Sequence, residues 1–191
     1  MVVLGHALTL QPSLSTFEQR QGFLFVGAIT QDDCPNGDSV LWFVREVWPL
    51  IQNTLGANVE LDIVGVCESA AVRALNSPTI RIHGRVADLG PFFERRRVFI
   101  APTRYAAGVP HKAHEAASRG LPMVATPLIA GQLGWHEELL AADGPNALAQ
   151  ACLRLHTEPV TWQRVREAAL AAVERDCSAV TFQRAVREIV R

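Results

Sequence analysis

Short apolar runs alternate with longer stretches of helical period along most of this chain. The run GFLFVGAI (22–29) is apolar throughout and bounded by glycines, the pattern of a strand buried on both faces. After the turn-forming DDCPNGD comes SVLWFVREVWPLIQNTL, where Val40, Leu41, Val44, Val47, Trp48 and Ile51 fall on one helical face. VELDIVG (59–65) predicts a second strand, ESAAVRAL a short helix, TIRIHGRV a third strand, DLGPFFERR another short helix and RVFIAPT (97–103) a fourth strand. HKAHEAASRG reads as a helix whose Gly120 suits a left-handed position just past the end, with Pro122 blocking continuation. PMVAT predicts a fifth strand and EELLAAD a sixth. Three helical stretches follow: GPNALAQACLRLH, PVTWQRVREAALAAVERD and AVTFQRAVREIV.

Buried strands alternating with amphipathic helices predict βαβ units, hence a doubly wound α/β domain with five or six mostly parallel strands and extra C-terminal helices. Ligands of such folds bind at the carboxyl ends of the strands. Residues 1–21 have no clear period and read as a linker, the end of a missing N-terminal domain. Residues 22–175 form the expected domain, and 176–191 a C-terminal helix whose Val180, Phe182, Val186, Ile189 and Val190 make an apolar stripe. Trp42, Trp48, Phe92 and Phe93 read as core. His83, at a strand end, reads as a hydrogen-bonded structural histidine.

Composition narrows the classes. Of 191 residues, 49% are hydrophobic and 19% charged, and the net charge is −1, which indicates a globular chain without a nucleic-acid footprint. The densest basic run, Arg95-Arg96-Arg97, reads as the solvated end of a helix. The four cysteines are widely spaced with no CxxC pair, the usage of a reduced, cytoplasmic setting. No apolar stretch reaches the roughly 18 residues needed to span a bilayer.

The stretch AAGVPHKAHEAASRGLPMVAT (106–126) carries the candidate chemistry. A loop with Gly108 precedes a helix, so its N–H groups and the helix dipole favour an anion. Lys112 falls in the first turn and Glu115 one turn on. As an i, i+3 pair they also fit an ordinary surface ion pair, worth about 0.2–0.5 kcal/mol. Arg104, at the end of the preceding strand, is a second candidate cation.

The ordered set GFLFVGAI, LWFVREVWPLI, LDIVG and IRIHGRVADLGPFFERRRVFIAPTRYAAGVPHKAHEAASRGLPMVATPL resembles the C-terminal, donor-binding half of a group-1 (GT4-like) retaining glycosyltransferase of the GT-B fold. The resemblance implies a Rossmann-like half that binds a UDP-, GDP- or similar nucleotide sugar without a metal or other cofactor. Lys112 and Arg104 are then the catalytic cations against the departing diphosphate. Gly27, Ala107, Gly108, Val109, His111, Lys112 and Glu115 line the nucleotide-sugar site, Glu115 holding the ribose hydroxyls. The acceptor belongs to the missing N-terminal domain, so residues 1–191 alone are expected to bind nucleotide and transfer no sugar. Any membrane association is peripheral and belongs to the full-length protein. Two other readings share the fold: a hydrolysing sugar-nucleotide 2-epimerase and a non-catalytic nucleotide-binding or interaction module. The chain departs from the family pattern at three places. Ala107 stands where many members have a first glutamate. Residues 27–38 lack a basic pair and hold Asp32, Asp33 and Asp38. No acidic residue stands near position 131.

Overall fold

The computed structural model describes residues 7–105 and 110–189. Six parallel strands are found among them: β1 (Phe23–Val26), β2 (Leu61–Val64), β3 (Ile80–Gly84), β4 (Val98–Ala101), β5 (Met123–Ala125) and β6 (Leu140–Ala141). They lie in the order β3-β2-β1-β4-β5-β6. Strand period explains why the sheet is covered twice. Phe23, Phe25, Leu61, Ile63, Val98 and Ile100 join one core cluster. Their alternates Leu24, Val26, Val64, Phe99 and Met123 join a second on the opposite face.

The first cluster is closed by α1 (Pro35–Trp42), α2 (Trp48–Leu55) and α7 (Pro145–Thr157). Helix α1 starts earlier than the sequence pattern implied. CPNGD reads as a turn, yet Cys34 caps the helix with its sulfur accepting from Gly37 N–H, and Pro35 occupies the first turn, where its missing N–H costs nothing. Between α1 and α2 the residues Phe43–Val47 form one π turn, and Trp48 N–H bonds back to the carbonyl of Phe43. Pro49 accounts for it: a proline ring inside a helix collides with the carbonyl four residues back, and a widened turn there relieves the collision.

The second face is covered by α4 (Gly90–Arg95), α5 (His111–Ser118), α6 (Pro127–Leu133) and α8 (Pro159–Cys177). Helix α6 adds to the sequence reading, which assigned no element to PLIAGQL. Thr126 and Pro127 open it, and Gly134 in the left-handed region closes it. Gly120 does end α5, with φ +66°. Gly120 N–H bonds to Ala117 and Leu121 N–H to Ala116, a Schellman pairing. The remaining helices among the described residues are the short α3 (Ala70–Arg73) and the final α9 (Ala179–Ile189). Helix α8 extends through Cys177, and on α9 Val180 is 66% exposed while Phe182 and Val186 are half-buried. The side chain of Ile189, and Val190, lie outside the described residues.

Residues 7–21, which read as a linker, run against this second face. Leu8 N–H bonds to Cys177, Gln11 to Ser118 and Ser13 to Arg119. Arg20 is fully buried, donating to the carbonyls of Phe93, Arg96 and Ser15.

In the basic run 95–97, Arg95 is the exposed end of α4 that the sequence suggested, but Arg96 and Arg97 are not solvated. Arg96 is fully buried, with Nε 2.5 Å from Asp62 Oδ2 and Nη1 2.7 Å from Glu60 Oε2. Asp62, equally buried, sits on β2 where alternation turns it toward α4, and it also binds His83 at 2.8 Å. His83 is therefore the bonded histidine the sequence suggested. Of the expected core aromatics, Trp48 and Phe93 are buried, and Trp42 and Phe92 are partly exposed.

At the amino ends of the strands His156 stacks on Phe23 with ring centroids 5.1 Å apart, and its Nε2 accepts from Gly22 N–H. Burial, aided by the charge of Arg97, pushes its pKa from 6.5 down to about 4. The native ring is held neutral, while the unfolded chain takes up a proton below pH 6.5. Stability is therefore expected to fall between pH 6.5 and about 4, by about 3 kcal/mol at most, and this component is constant below that. His156→Gln keeps an acceptor for Gly22 without titrating. Denaturant melts at pH 7 and pH 4.5 should show a smaller acid loss in the variant, and an equal loss would rule out His156 as the source.

Candidate active site

The strand order reverses between β1 and β4, so the chains leaving their carboxyl ends diverge and open a crevice. A cavity of about 370 Å³ lies there, lined by Gly27 and Ala28 after β1, Pro35 and Asn36 of α1, Thr103 after β4, His111 and Lys112 of α5, and Ile129 and Gln132 of α6. A Cβ on Gly27 would stand 2.9 Å from Asn36 Nδ2, which itself donates to the Ala28 carbonyl at 2.8 Å. Two helices begin on the rim, α1 and α5, and the first N–H groups of each lack intrahelical partners and carry the positive end of the dipole.

Several sequence candidates converge here. Gly27, His111 and Lys112 all line the cavity. Ala107, Gly108 and Val109 lie outside the described residues. Glu115 faces the other way, into an adjoining groove of about 560 Å³ between α5 and residues 7–11, whose lining also includes His111, Lys112 and Arg119. Lys112 Nζ lies 2.8 Å from Glu115 Oε2, with the two side chains 46% and 30% exposed. Lys112 and His111 therefore border both spaces, and Glu115 reaches the cavity side only through its lysine.

Arg104 does not line the cavity. Its guanidinium is forked by Asp38 of α1, with Nε 2.9 Å from Oδ2 and Nη2 bonded to Oδ1. It stands 5.3 Å above the ring of Trp42. The Asp38 hydrogen bonds raise its pKa further. Of the acidic residues that replace a basic pair in 27–38, Asp38 and Asp32 are thus turned to the scaffold, and Asp33 contributes its backbone carbonyl. Asp38 holds Arg104, Asp32 accepts from Ser69 Oγ, and the Asp33 carbonyl accepts from the Tyr105 hydroxyl.

Sequence reasoning missed Asn36, Thr103 and Gln132. Asn36 sits two residues after the Cys34 cap, a signal hidden by reading CPNGD as a turn. Thr103 is fixed from behind, its carbonyl accepting from Thr126 Oγ1 at 2.5 Å. Gln132 belongs to the helix α6 that the pattern did not reveal.

The sequence profile of the family described as glycosyl transferases group 1 matches residues 20–158. The chain belongs to that family. This group-1 domain shares its fold with glycosyltransferase structures of low sequence identity. TarM from S. aureus, in complex with fondaparinux, alpha-GlcNAc-glycerol and UDP, is 12% identical at a TM-score of 0.75, covering 96% of this chain and 38% of its own. Sucrose-phosphate synthase from Thermosynechococcus elongatus is 15% identical at 0.73, covering 98% and 51%. HepE from Anabaena, in complex with UDP-glucose, is 13% identical at 0.65, covering 91% and 50%. The group-1 domain thus spans 38% to 51% of the length of these three structures. No curated protein sequence matches the chain.

Proposed function

We propose that the cavity between β1 and β4 binds the diphosphate of a nucleotide-sugar donor, for transfer of the sugar with retention of its configuration. The observation that carries this reading is the placement of Lys112. It stands in the first turn of α5, on the wall of a cavity that Gly27 and Ala28 line on the β1 side. A departing nucleoside diphosphate gains negative charge as the glycosidic bond breaks, and donors fixed in advance toward that charge lower the barrier. The ammonium and the N-termini of α1 and α5 supply such donors. The groove beyond Lys112 then receives the ribose, whose two hydroxyls donate to Glu115, an acceptor-only group when ionised. UDP in TarM and UDP-glucose in HepE support the ligand class. Acceptor recognition is assigned to a second Rossmann-like half, since the three structures are about two to two and a half times as long as this domain.

The exposed Lys112–Glu115 pair contributes only about 0.2–0.5 kcal/mol to folding, so Lys112→Ala leaves the fold intact and its effect on ligand is diagnostic. Calorimetry should show a loss of about 1.5–3 kcal/mol for a nucleoside diphosphate and little loss for the free nucleoside. Equal losses for both would place the lysine away from phosphate.

Glu115→Gln keeps the size but removes the charge and one acceptor oxygen. Ribonucleotide binding should fall at least about tenfold, and a 2′-deoxy nucleotide should lose less. If mutation and deoxygenation simply add, Glu115 does not hold the ribose.

A further inference from the structure

We propose that Asp38 is a positioning residue: it fixes Arg104 at the mouth of the cavity so that one edge of the guanidinium serves the phosphates of the ligand. The inference rests on the donor-binding reading above and extends it to two residues that do not line the cavity themselves.

The ion pair joins the two walls of the crevice. Arg104 follows Thr103, which lines the cavity on the β4 side. Asp38 follows Asn36, which lines it on the α1 side, and lies in the first turn of that helix. Both carboxylate oxygens of Asp38 are used on Arg104, and they take Nε and Nη2, the same edge of the guanidinium. Trp42, one turn along α1 from Asp38, lies 5.3 Å beneath the cation. Fork and ring together set the edge and the plane of a side chain that is otherwise 45% exposed. Nη1 makes no bond to a described residue, and its two N–H groups are left for a ligand. A second strut, the Tyr105 hydroxyl on the Asp33 carbonyl, holds the next residue to the same corner.

A neutral ion pair attracts a distant anion little, so its contribution is direction rather than charge. An unpaired Arg104 would sample many rotamers over the open rim, and binding would then have to order it. A carboxylate that competed with the ligand for Arg104 would have the opposite consequence, because its removal would free the cation and tighten binding. The fork leaves one edge open, and this favours positioning.

The test is calorimetric titration of uridine, guanosine and adenosine diphosphates into wild type, Asp38→Asn, Asp38→Glu, Arg104→Ala and the Asp38→Asn/Arg104→Ala double variant. Free nucleosides serve as the control. With the diphosphate that binds wild type most tightly, Asp38→Asn is expected to weaken binding about five- to tenfold, in line with a charge-assisted contact made less often. The nucleoside should be unaffected, Asp38→Glu should recover part of the loss, and Asp38→Asn should add nothing in the Arg104→Ala background. Tighter or unchanged binding by Asp38→Asn overturns the proposal, as does a loss that persists without Arg104. A wild type that binds none of the three diphosphates overturns the donor-binding reading and this inference together.

Discussion

Asp62→Asn is expected to destabilise the domain by about 3–5 kcal/mol, the cost of breaking a buried ion pair at one partner, with Arg96 keeping only the partly exposed Glu60. Arg96 is fully buried and its Nε lies 2.5 Å from Asp62 Oδ2. An amide in place of the carboxylate cancels the charge and turns a donor toward the guanidinium. Removing both ions should be milder, because apolar side chains of similar volume leave nothing uncompensated. Asp62→Leu combined with Arg96→Met should therefore recover much of the loss, while Glu60 keeps its bond to Arg81 at 2.5 Å. Thermal melts decide it: the single variant should lose roughly 10 °C in Tm, and the double variant clearly less. Equal losses would show that the fold depends on something other than this pairing.

Trp162→Ala is expected to cost a further large amount, about 3–5 kcal/mol, because truncating a buried indole leaves a cavity. Trp162 is 2% exposed, and its Nε1 donates to the Arg97 carbonyl. Phe17 packs edge-on against it at 5.8 Å, and the guanidinium groups of Arg20 and Arg166 stand 5.6 and 5.3 Å from its ring. These groups tie residues 7–21 to α8, and Arg166 also donates to the carbonyls of Ser13 and Gly120. The loss should therefore have a location as well as a size. Hydrogen exchange should accelerate first at Gln11 and Ser13, whose N–H groups bond to Ser118 and Arg119. Uniform acceleration across the sheet would show that Trp162 supports the core rather than this segment.

These two sites also show where the sequence stops being informative. The strands were legible because burial on both faces removes polar residues from short runs, and the end of α5 was legible because Gly120 and Pro122 act locally. Arg96 was not, since its partner lies 34 positions away; the single Asp inside VELDIVG was the available signal. Arg20 was hidden for the same reason, with its acceptors on the carbonyls of Phe93 and Arg96. Helix α6 was missed because PLIAGQL is too short and too uniformly apolar to display a period. In the site, Lys112 was placed by the loop-before-helix pattern, and Gly27 and His111 by the family resemblance. The pairing of Arg104 with Asp38 crosses 66 positions, so spacing along the chain could not suggest it.

The central claim is that the crevice between β1 and β4 takes a nucleoside diphosphate, and amide chemical shifts test it most directly. An isotope-labelled domain titrated with uridine, guanosine and adenosine diphosphates should shift at Gly27, Ala28, Asn36, Thr103, His111 and Lys112, all of which line the cavity. Amides at the opposite end of the sheet, around Gln21, Asn58 and His156, should stay still. Shifts gathered at that far end, or none with any of the three ligands, would contradict the account.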